Sequence, residues 1–510
     1  MNTIVLSTLN ARYVHASMGL RCLAANMGDL RAQTLLAEFV IGQKTEDIVE
    51  QLLALSPRVI GFGVYIWNVL ETTRIVAQLK LLAPEICIVL GGPEVSYETE
   101  QQAICGYADY VITGWGDHSF PQLVSQILNS QAPVNKIVVG IQPPLASLKM
   151  PYREYSDADL KHRYLYVEAS RGCPFKCEFC LSALDASAWP FPLDAFLAEL
   201  DELYKRGARQ FKFVDRTFNL KIDTSLAILN FFLTKLEAAP ADAPFLHFEL
   251  IPDHLPERLK ELLPRFPPGT LQFELGIQTF NIEVQQRISR RQKNAVAEAN
   301  IAWLRSNTHA HLHVDLIAGL PGESLDSFGA GFNRLYALNP HEIQFGILKR
   351  LRGTPIARHS LAFAMRYSPE APYTILANSE LDFFTLQRLS RFARYWDLIG
   401  NSGRFKRSLP LLLGEHAFAA FLEFSDWLFQ QSGQTHGIAH ERLVNLLHRY
   451  FVDVRAAQAE HASATLIADY VESGARSKLD FVDVSKLLRA PRERQAGATP
   501  QRQARHLLET

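Results

Sequence analysis

The sequence is poor in cysteine, in charge imbalance and in long apolar runs, and each lack removes a class of protein. Six cysteines in 510 residues are too few for a disulfide scaffold. Fifty-two basic against 53 acidic side chains leave a formal net charge of -1, which argues against a polycation working on nucleic acid. The longest apolar runs, such as residues 59–67, fall far short of the roughly 20 residues of a membrane span. The opening Met1-Asn2-Thr3-Ile4-Val5 has no charged segment ahead of a long apolar stretch, so no secretory signal is expected. There is no internal repeat and no Walker-type phosphate loop. What remains is an ordinary globular composition, 48% hydrophobic and 21% charged. The length suits about three domains of roughly 100–200 residues each. A cytoplasmic, non-membrane, multidomain protein is the expectation.

The fold class expected is α/β, with a helical end. In the first 140 residues, apolar runs at 4–9, 33–41, 59–67, 86–91 and 110–113 read as strands covered on both faces. Helical spacing at 19–30, 45–55, 69–82 and 120–128 separates them. That alternation predicts a doubly wound, Rossmann-like parallel sheet over 1–140, with ligands beyond the strands' carboxyl ends. Residues 141–158, with prolines at 143, 144 and 151, read as a linker. A second alternation follows within 159–379. Its strands are at 164–169, 210–214, 245–251, 271–278, 311–318 and 343–348, with five helices between them. Spanning about 190 residues, it is short of the roughly 250 of a complete eight-stranded barrel, so a partial (β/α)6 barrel is expected. Residues 380–488 read as an α-helical C-terminal domain, expected to cover the barrel mouth, and 489–510 as a disordered tail. Arg492, Arg494, Arg502 and Arg505 make that tail basic, so it could touch nucleic acid, but a solvated terminus is the expected reading.

The placing of the cysteines says more than their number. Cys22, Cys87 and Cys105 are scattered, whereas Cys173, Cys177 and Cys180 fall within eight residues directly after a predicted strand. Three thiolates so spaced can converge on one metal, and Gly172 permits the curl that this requires. A zinc site completed by a histidine such as His162 is one reading, although structural zinc usually takes two separated ligand pairs. Three coincidentally close, unligated cysteines are another. An iron–sulfur cluster with one iron left open is favoured, because such clusters normally take four thiolates and no fourth cysteine lies nearby.

Cys-x3-Cys-x-aromatic-Cys after the first strand of a partial barrel resembles the radical S-adenosylmethionine (SAM) superfamily, over roughly residues 159–358. The resemblance implies a four-iron four-sulfur cluster on Cys173, Cys177 and Cys180. SAM would chelate the open iron and be cleaved to a 5′-deoxyadenosyl radical. It implies further that Phe179 lies beside the adenine. Asp215, in Phe213-Val214-Asp215-Arg216-Thr217, would lie near the methionine end, with helix capping as its structural alternative. Glu249, Glu274 and Gln278 are inward-pointing candidates for the ribose or methionine, and a structural salt bridge is an equal contender for either glutamate. In His313-Val314-Asp315-Leu316-Ile317-Ala318-Gly319-Leu320-Pro321-Gly322-Glu323, Gly319 would let backbone approach the adenine. Leu351-Arg352-Gly353-Thr354-Pro355 resembles the sixth-strand exit, with Arg352 where proline is usual.

The first domain extends the resemblance to the cobalamin-binding members of that superfamily. Leu90-Gly91-Gly92-Pro93-Glu94-Val95-Ser96 and Gly114-Trp115-Gly116-Asp117 are similar to their fourth- and fifth-strand turns. Gly91, Gly92, Pro93, Ser96, Gly114 and Gly116 are therefore the candidate cobalamin contacts. Tyr13-Val14-His15-Ala16-Ser17-Met18-Gly19 lacks the aspartate, and shifts the glycine, of members that donate a histidine to cobalt, so His15 is not expected to be a cobalt ligand. Methylthiotransferases would need a second cysteine triad, and Cys22, Cys87 and Cys105 are not expected to converge. The resemblance implies an enzyme using a 4Fe-4S cluster, SAM and cobalamin to methylate an unactivated carbon or phosphorus of a small molecule. Flavodoxin or ferredoxin would supply electrons. Cobalamin-dependent rearrangement or cyclisation, methylthiotransfer and a non-catalytic sensor are the alternatives.

Overall fold

The computed structural model describes residues 3–185, 187–475, 477–482 and 499–507. The first sheet runs β2-β1-β3-β4-β5-β6, every neighbouring pair parallel. Its strands are β1 (Ile4–Asn10), β2 (Thr34–Val40), β3 (Val59–Gly63), β4 (Cys87–Gly91), β5 (Tyr110–Gly114) and β6 (Ile137–Gly140). Helices α1 (Met18–Ala25), α2 (Thr45–Ala54), α3 (Val69–Leu82), α4 (Ala103–Tyr107) and α5 (Ser119–Leu128) cover its two faces. β1 is buried at all seven positions, the burial expected of a central strand sandwiched by helices. The chain moves from β1 outward to β2 and then back to β3, so a crevice opens where the order reverses.

One expected boundary moves for a local reason. The run 59–67 stops being strand at Gly63 because Asn68 pulls the chain back. Its Oδ1 accepts from Tyr65 N at 2.8 Å, and its Nδ2 donates to Leu9 O at 3.0 Å. β6, which sequence reading did not single out, pairs with β5 at the outer edge.

The stretch expected as a linker is built into the structure. A turn over Pro151–Glu154 and helix α6 (Asp157–His162), which carries a capping box from Ser156 and Asp159, lead into β7 (Leu165–Val167). Tyr152 and Tyr155 are fully buried, and their hydroxyls complete the open edge of β7. Tyr155 accepts from Tyr166 N and donates to Tyr166 O, while Tyr152 does the same for Glu168. Prolines in this stretch signalled a break in periodicity, but not the two aromatic anchors that follow.

Beyond β7, a short hairpin of β8 (Ser170–Arg171) and β9 (Trp189–Pro190) brackets the cysteine loop. Strands β10 (Gln210–Phe213), β11 (Phe245–Leu250), β12 (Leu271–Gln278), β13 (His311–Ala318) and β14 (Glu342–Ile347) then complete the second sheet. Its order, β7-β10-β11-β12-β13-β14, is sequential and parallel throughout, an open six-stranded barrel. Helices α7 (Leu193–Lys205), α8 (Ile222–Ala238), α9 (Glu257–Leu262), α10 (Ile282–Arg287), α11 (Asn294–Asn307) and α12 (Leu325–Ala337) follow its strands.

Helices α13 (Phe383–Leu398), α14 (Ser408–Leu413), α15 (Ala417–Ser432), α16 (His440–Arg449) and α17 (Ala459–Glu472) form the C-terminal helical region. They pack through Phe332, Phe392, Trp396 and Phe418 on the outer side of α12 and β14, not over the barrel mouth. Part of the expected disordered tail is ordered. α18 (Gln501–His506) docks under the barrel, where Arg502 pairs with Glu342 and Asp397 and Arg505 donates to Ser402 O. Those two arginines therefore hold the fold together, while Arg492 and Arg494 lie outside the described residues. Among the described residues, no helix is long and apolar enough to cross a membrane.

A buried four-charge network ties the first sheet to α6. Glu38 on β2 accepts from Arg21 and Arg163, each at 2.8 Å, and Arg21 also reaches Asp159 at 3.0 Å. Glu38→Ala leaves Arg21 and Arg163 to share Asp159 alone and should cost about 3 kcal/mol. Asp223→Ala, in the exposed pair with Arg258, should cost under about 1 kcal/mol. Denaturant unfolding of the two variants checks the contrast.

Candidate functional site

The cysteine loop begins where β7 ends. Gly172 sits at φ +86°, and a Cβ there would lie 2.1 Å from Ser187 O, so only glycine lets the chain turn at this point. The loop is pinned on its outer side by Glu178. Its backbone N–H donates to Ile288 O at 3.0 Å, and its carbonyl accepts from Ile356 N. Its carboxylate accepts from Ser289 Oγ at 2.6 Å, from His359 Nε2 at 2.8 Å and from Arg358. With Glu178 turned out, Cys173, Cys177 and Cys180 line one cavity of about 270 Å3, all three free of disulfides. Burial pushes the Cys173 thiol up to about 11 and raises that of Cys177. Such thiols ionise fully only against a bound cation.

Phe179, Glu249, Glu274 and Gln278 line the same cavity, as expected. So do Arg216, Arg290 and Asp315, which sequence reasoning did not select. Arg216 donates to Glu249 at 2.7 Å, and His247 Nε2 donates to Glu274 at 2.9 Å, which helps hold that carboxyl at about 2. Arg290 reaches Cys177 Sγ at 3.5 Å and also donates to Gly276 O. Asp315 Oδ1 and Gln278 Oε1 are buried without hydrogen-bond partners among the described residues, and burial near Glu274 and Glu249 holds the Asp315 carboxyl well above the usual range. Four carboxyls, Asp253 included, and three guanidiniums, Arg291 included, around three free thiols suit a zwitterion bound beside a thiolate-held cluster, so the residues fit both a 4Fe-4S cluster and SAM. Asp315 had a signal. It shares strand parity with Ile317 and His313 on β13, whose alternate positions are fully buried.

Two expected contacts lie elsewhere. Asp215 is turned away from the cysteines. It accepts from Ala169 N at 3.0 Å and Ser170 Oγ at 2.6 Å, tying the exits of β7 and β10 together. Gly319 faces Ile375, Leu386 and Leu348 and does not line the cavity, because the hairpin after β14 folds over it.

A second cavity, about 610 Å3, opens at the carboxyl ends of the first sheet. Gly91, Gly92, Gly114 and Gly116 form part of its rim, joined by His15, the stacked rings of Tyr65 and Trp67, and Tyr166, Glu168 and Arg171 from the barrel side. Gly92 sits at φ +109°, where a Cβ would strike Val64 O at 2.5 Å, whereas a Cβ on Gly91 meets only Ile112 O at 3.9 Å. Pro93 and Ser96 do not line the cavity. Ser96 Oγ donates to Gly92 O and accepts from Gly114 N, bracing the two glycine turns against each other. His15 Nδ1 lies 2.6 Å from Tyr166 OH, and burial beside Lys212 and Arg12 lowers its pKa. Asp117 lines this cavity, and its Oδ1 is buried without a hydrogen-bond partner among the described residues. A wide, glycine-rimmed, mainly apolar slot with an unmet acceptor suits a large planar cofactor such as cobalamin. Cys22, Cys87 and Cys105 sit in α1, at the start of β4 and in α4, and form no metal-binding group among the described residues.

Comparisons with known proteins agree with this geometry. Residues 4–124 match the B12 binding domain, 167–333 the radical SAM superfamily, and 362–506 a family described as a protein of unknown function (DUF4080). The chain thus joins a B12-binding domain to a radical SAM domain, which together imply a 4Fe-4S cluster, SAM and cobalamin. The 2-(S-pantetheinyl)-carbapenam-3-carboxylate methyltransferase of Streptantibioticus cattleyicolor is 23% identical over 341 residues, covering 59% of this chain and 49% of the relative. The chain spans about half the length of the curated relatives it matches. Among solved structures, the cobalamin-dependent SAM radical enzyme OxsB superposes with TM-score 0.60 at 13% identity, over 92% of this chain and 84% of that one. The radical SAM methyltransferase TsrM from Kitasatospora setae, with cobalamin and a [4Fe-4S] cluster, gives 0.56 at 17% identity, over 70% and 74%. Both likenesses establish the fold.

Burial holds the Asp215 carboxyl up at about 6 against an ordinary 3.8. The folded chain keeps this proton to about pH 6, whereas the unfolded chain loses it near 3.8, so this group's share of stability falls as pH rises between those values. Asp215→Asn should flatten that part of the thermal midpoint's pH profile while retaining the cluster iron. Loss of iron in the variant would instead place Asp215 in the cofactor site.

Proposed function

We propose that the chain is a cobalamin-dependent radical SAM methyltransferase acting on an unactivated carbon or phosphorus centre of a small molecule. The observation that carries this reading is one shared loop. The exit of β7 sends Arg171 to the glycine-rimmed cavity and, two residues later, Cys173 to the thiol-lined one. When bound, the cluster and SAM supply a 5′-deoxyadenosyl radical on receipt of one electron, and cobalamin carries the methyl group.

The chain's own residues orient and shield. Cys173, Cys177 and Cys180 hold the cluster, and Arg290 directs a hydrogen bond at Cys177 that tempers the charge on its sulfur. Glu249, Glu274 and Asp315 present carboxyl groups on three neighbouring strands that would face the cationic parts of SAM, while Arg216 and Arg290 would face its carboxylate. Phe179 offers a flat apolar contact beside the cluster. Gly91, Gly92, Gly114 and Gly116 leave room for cobalamin against the sheet edge, and His15, engaged with Tyr166, stays off the cobalt. A flavodoxin or ferredoxin serves as the electron donor.

Anaerobic reconstitution of the full chain should give about four irons per chain and 5′-deoxyadenosine on reduction. Cys177→Ala should abolish both. Gly91→Leu fills open space on a strand without a backbone clash, so it should lower hydroxocobalamin binding at least tenfold while leaving cluster iron unchanged. Methyl transfer yields S-adenosylhomocysteine. 5′-Deoxyadenosine without it, in the presence of bound cobalamin and substrate, would instead mark a rearrangement.

A further inference from the structure

At the opposite end of the barrel from the cysteine loop, the chain gathers histidines. His311 opens β13, His313 follows two residues on, His341 precedes Glu342 at the start of β14, and His506 closes α18. The ring of His311 lies 5.1 Å from that of His313, 4.6 Å from His341 and 5.0 Å from His506. Among the described residues, one group of three brings metal-ligand atoms within 4.8 Å of one another: His311, Glu342 and His506, all buried.

The surroundings order these groups as ligands. Glu342 Oε2 is held by Arg502 at 2.6 Å, while its Oε1 faces His311 Nε2 at 3.1 Å and His313 Nε2 at 3.0 Å. His506 Nε2 lies 3.2 Å from Asn401 O, a carbonyl that can only accept, so the hydrogen sits on Nε2 and Nδ1 carries the lone pair. His341 Nδ1 accepts from Leu312 N at 3.0 Å, fixing that ring too. His311 adds a buried Nδ1 with no hydrogen-bond partner among the described residues. Imidazoles fixed by backbone carbonyls and amides, with a carboxylate among them, are the supporting arrangement of metal-bound histidines. A cavity of about 160 Å3 lined by His341, Asn401 and His506 borders the cluster.

We infer that His311, Glu342 and His506 form a structural site for one zinc ion that clasps the last helix to the base of the barrel. Nitrogen-rich donors favour zinc over calcium or magnesium, and the site belongs to neither cofactor cavity. Glu342 and His506 stand 164 residues apart, so one ion here fixes the return of the whole helical region. The inference does not depend on the proposed activity.

The test separates zinc from cluster iron. The full-length Cys173→Ala/Cys177→Ala/Cys180→Ala variant, purified without added metal and analysed by plasma mass spectrometry, should hold about one zinc per chain. Adding His311→Gln and His506→Gln should lower zinc more than tenfold. Should that variant fail to fold, chelator-treated triple-cysteine protein should regain a higher thermal midpoint with one equivalent of zinc. Absence of stoichiometric zinc, zinc retained by the histidine variant, or no thermal response to zinc would each overturn the inference and leave the cluster as a hydrogen-bonded clamp.

Discussion

Two buried arginine–carboxylate clamps set how the two sheets face each other, and both cavities depend on them. Arg171, at the exit of β7, donates to Asp117 in the second glycine turn at 2.9 Å and to Glu168 at 2.7 Å, and lies over the rings of Trp115 and Phe191. Arg352, at the exit of β14, donates to Glu94 in the first glycine turn at 3.0 Å and to Glu98 at 2.8 Å, and lies over Tyr373. Each clamp joins a strand-end turn of the first sheet to an edge strand of the barrel. Arginine suits the task where lysine would not, because a planar fork can satisfy two acids and stack on a ring at once. Arg352 stands where the resembling family usually has proline, and its pairing with Glu94 accounts for that departure. Desolvating such charges is expensive, so the pairs are better read as fixing registration than as adding net stability.

Leaving the barrel open creates a second constraint, since an open sheet has two edges with unpaired backbone groups. Both are closed by side chains from outside the sheet. Tyr152 and Tyr155 complete β7, and Asn401, just beyond α13, accepts from Ile343 N and donates to Ile343 O on β14, both at 2.9 Å. The connecting segment and the helical region thus act as edge covers. No residue from either lines the thiol cavity.

The parts of the site that were legible in the sequence are those in which one residue type at one spacing already implies its chemistry. The three cysteines with Gly172, and the two glycine turns at strand ends, are of this kind, as is the strand alternation that gave both sheets. Glu249, Glu274 and Gln278 were legible through inward parity, although the ladder between β12 and β13 shifts between Gly276 and Gln278 and leaves Gln278 at φ +67°. What parity could not decide was the first residue past a strand. Asp215 turns toward the backbone of a neighbouring strand while Arg216 takes the cavity, because a loop residue follows its nearest unpaired N–H and not the sheet's alternation. The edge-capping tyrosines and α18 were illegible for a different reason. Their meaning lies wholly in partners distant along the chain.

The charges inside the barrel fit one rule. Glu249 and Glu274 stand opposite each other in the β11–β12 ladder, where like charges repel, and each is offset by a cationic or hydrogen-donating neighbour, Arg216 and His247. A barrel can bury such groups only because each is answered within one strand. Asp315, one strand further on, is not: its Oδ1 has no partner among the described residues, and burial, reinforced by Glu274 and Glu249, pushes its carboxyl upward. A protonated Asp315 meets that strain by itself, and a positive group arriving in the cavity would meet it better by drawing the proton off. Asp315 is therefore a buried carboxyl whose comfort depends on a cation, and it lies in the cavity that the three cysteines share.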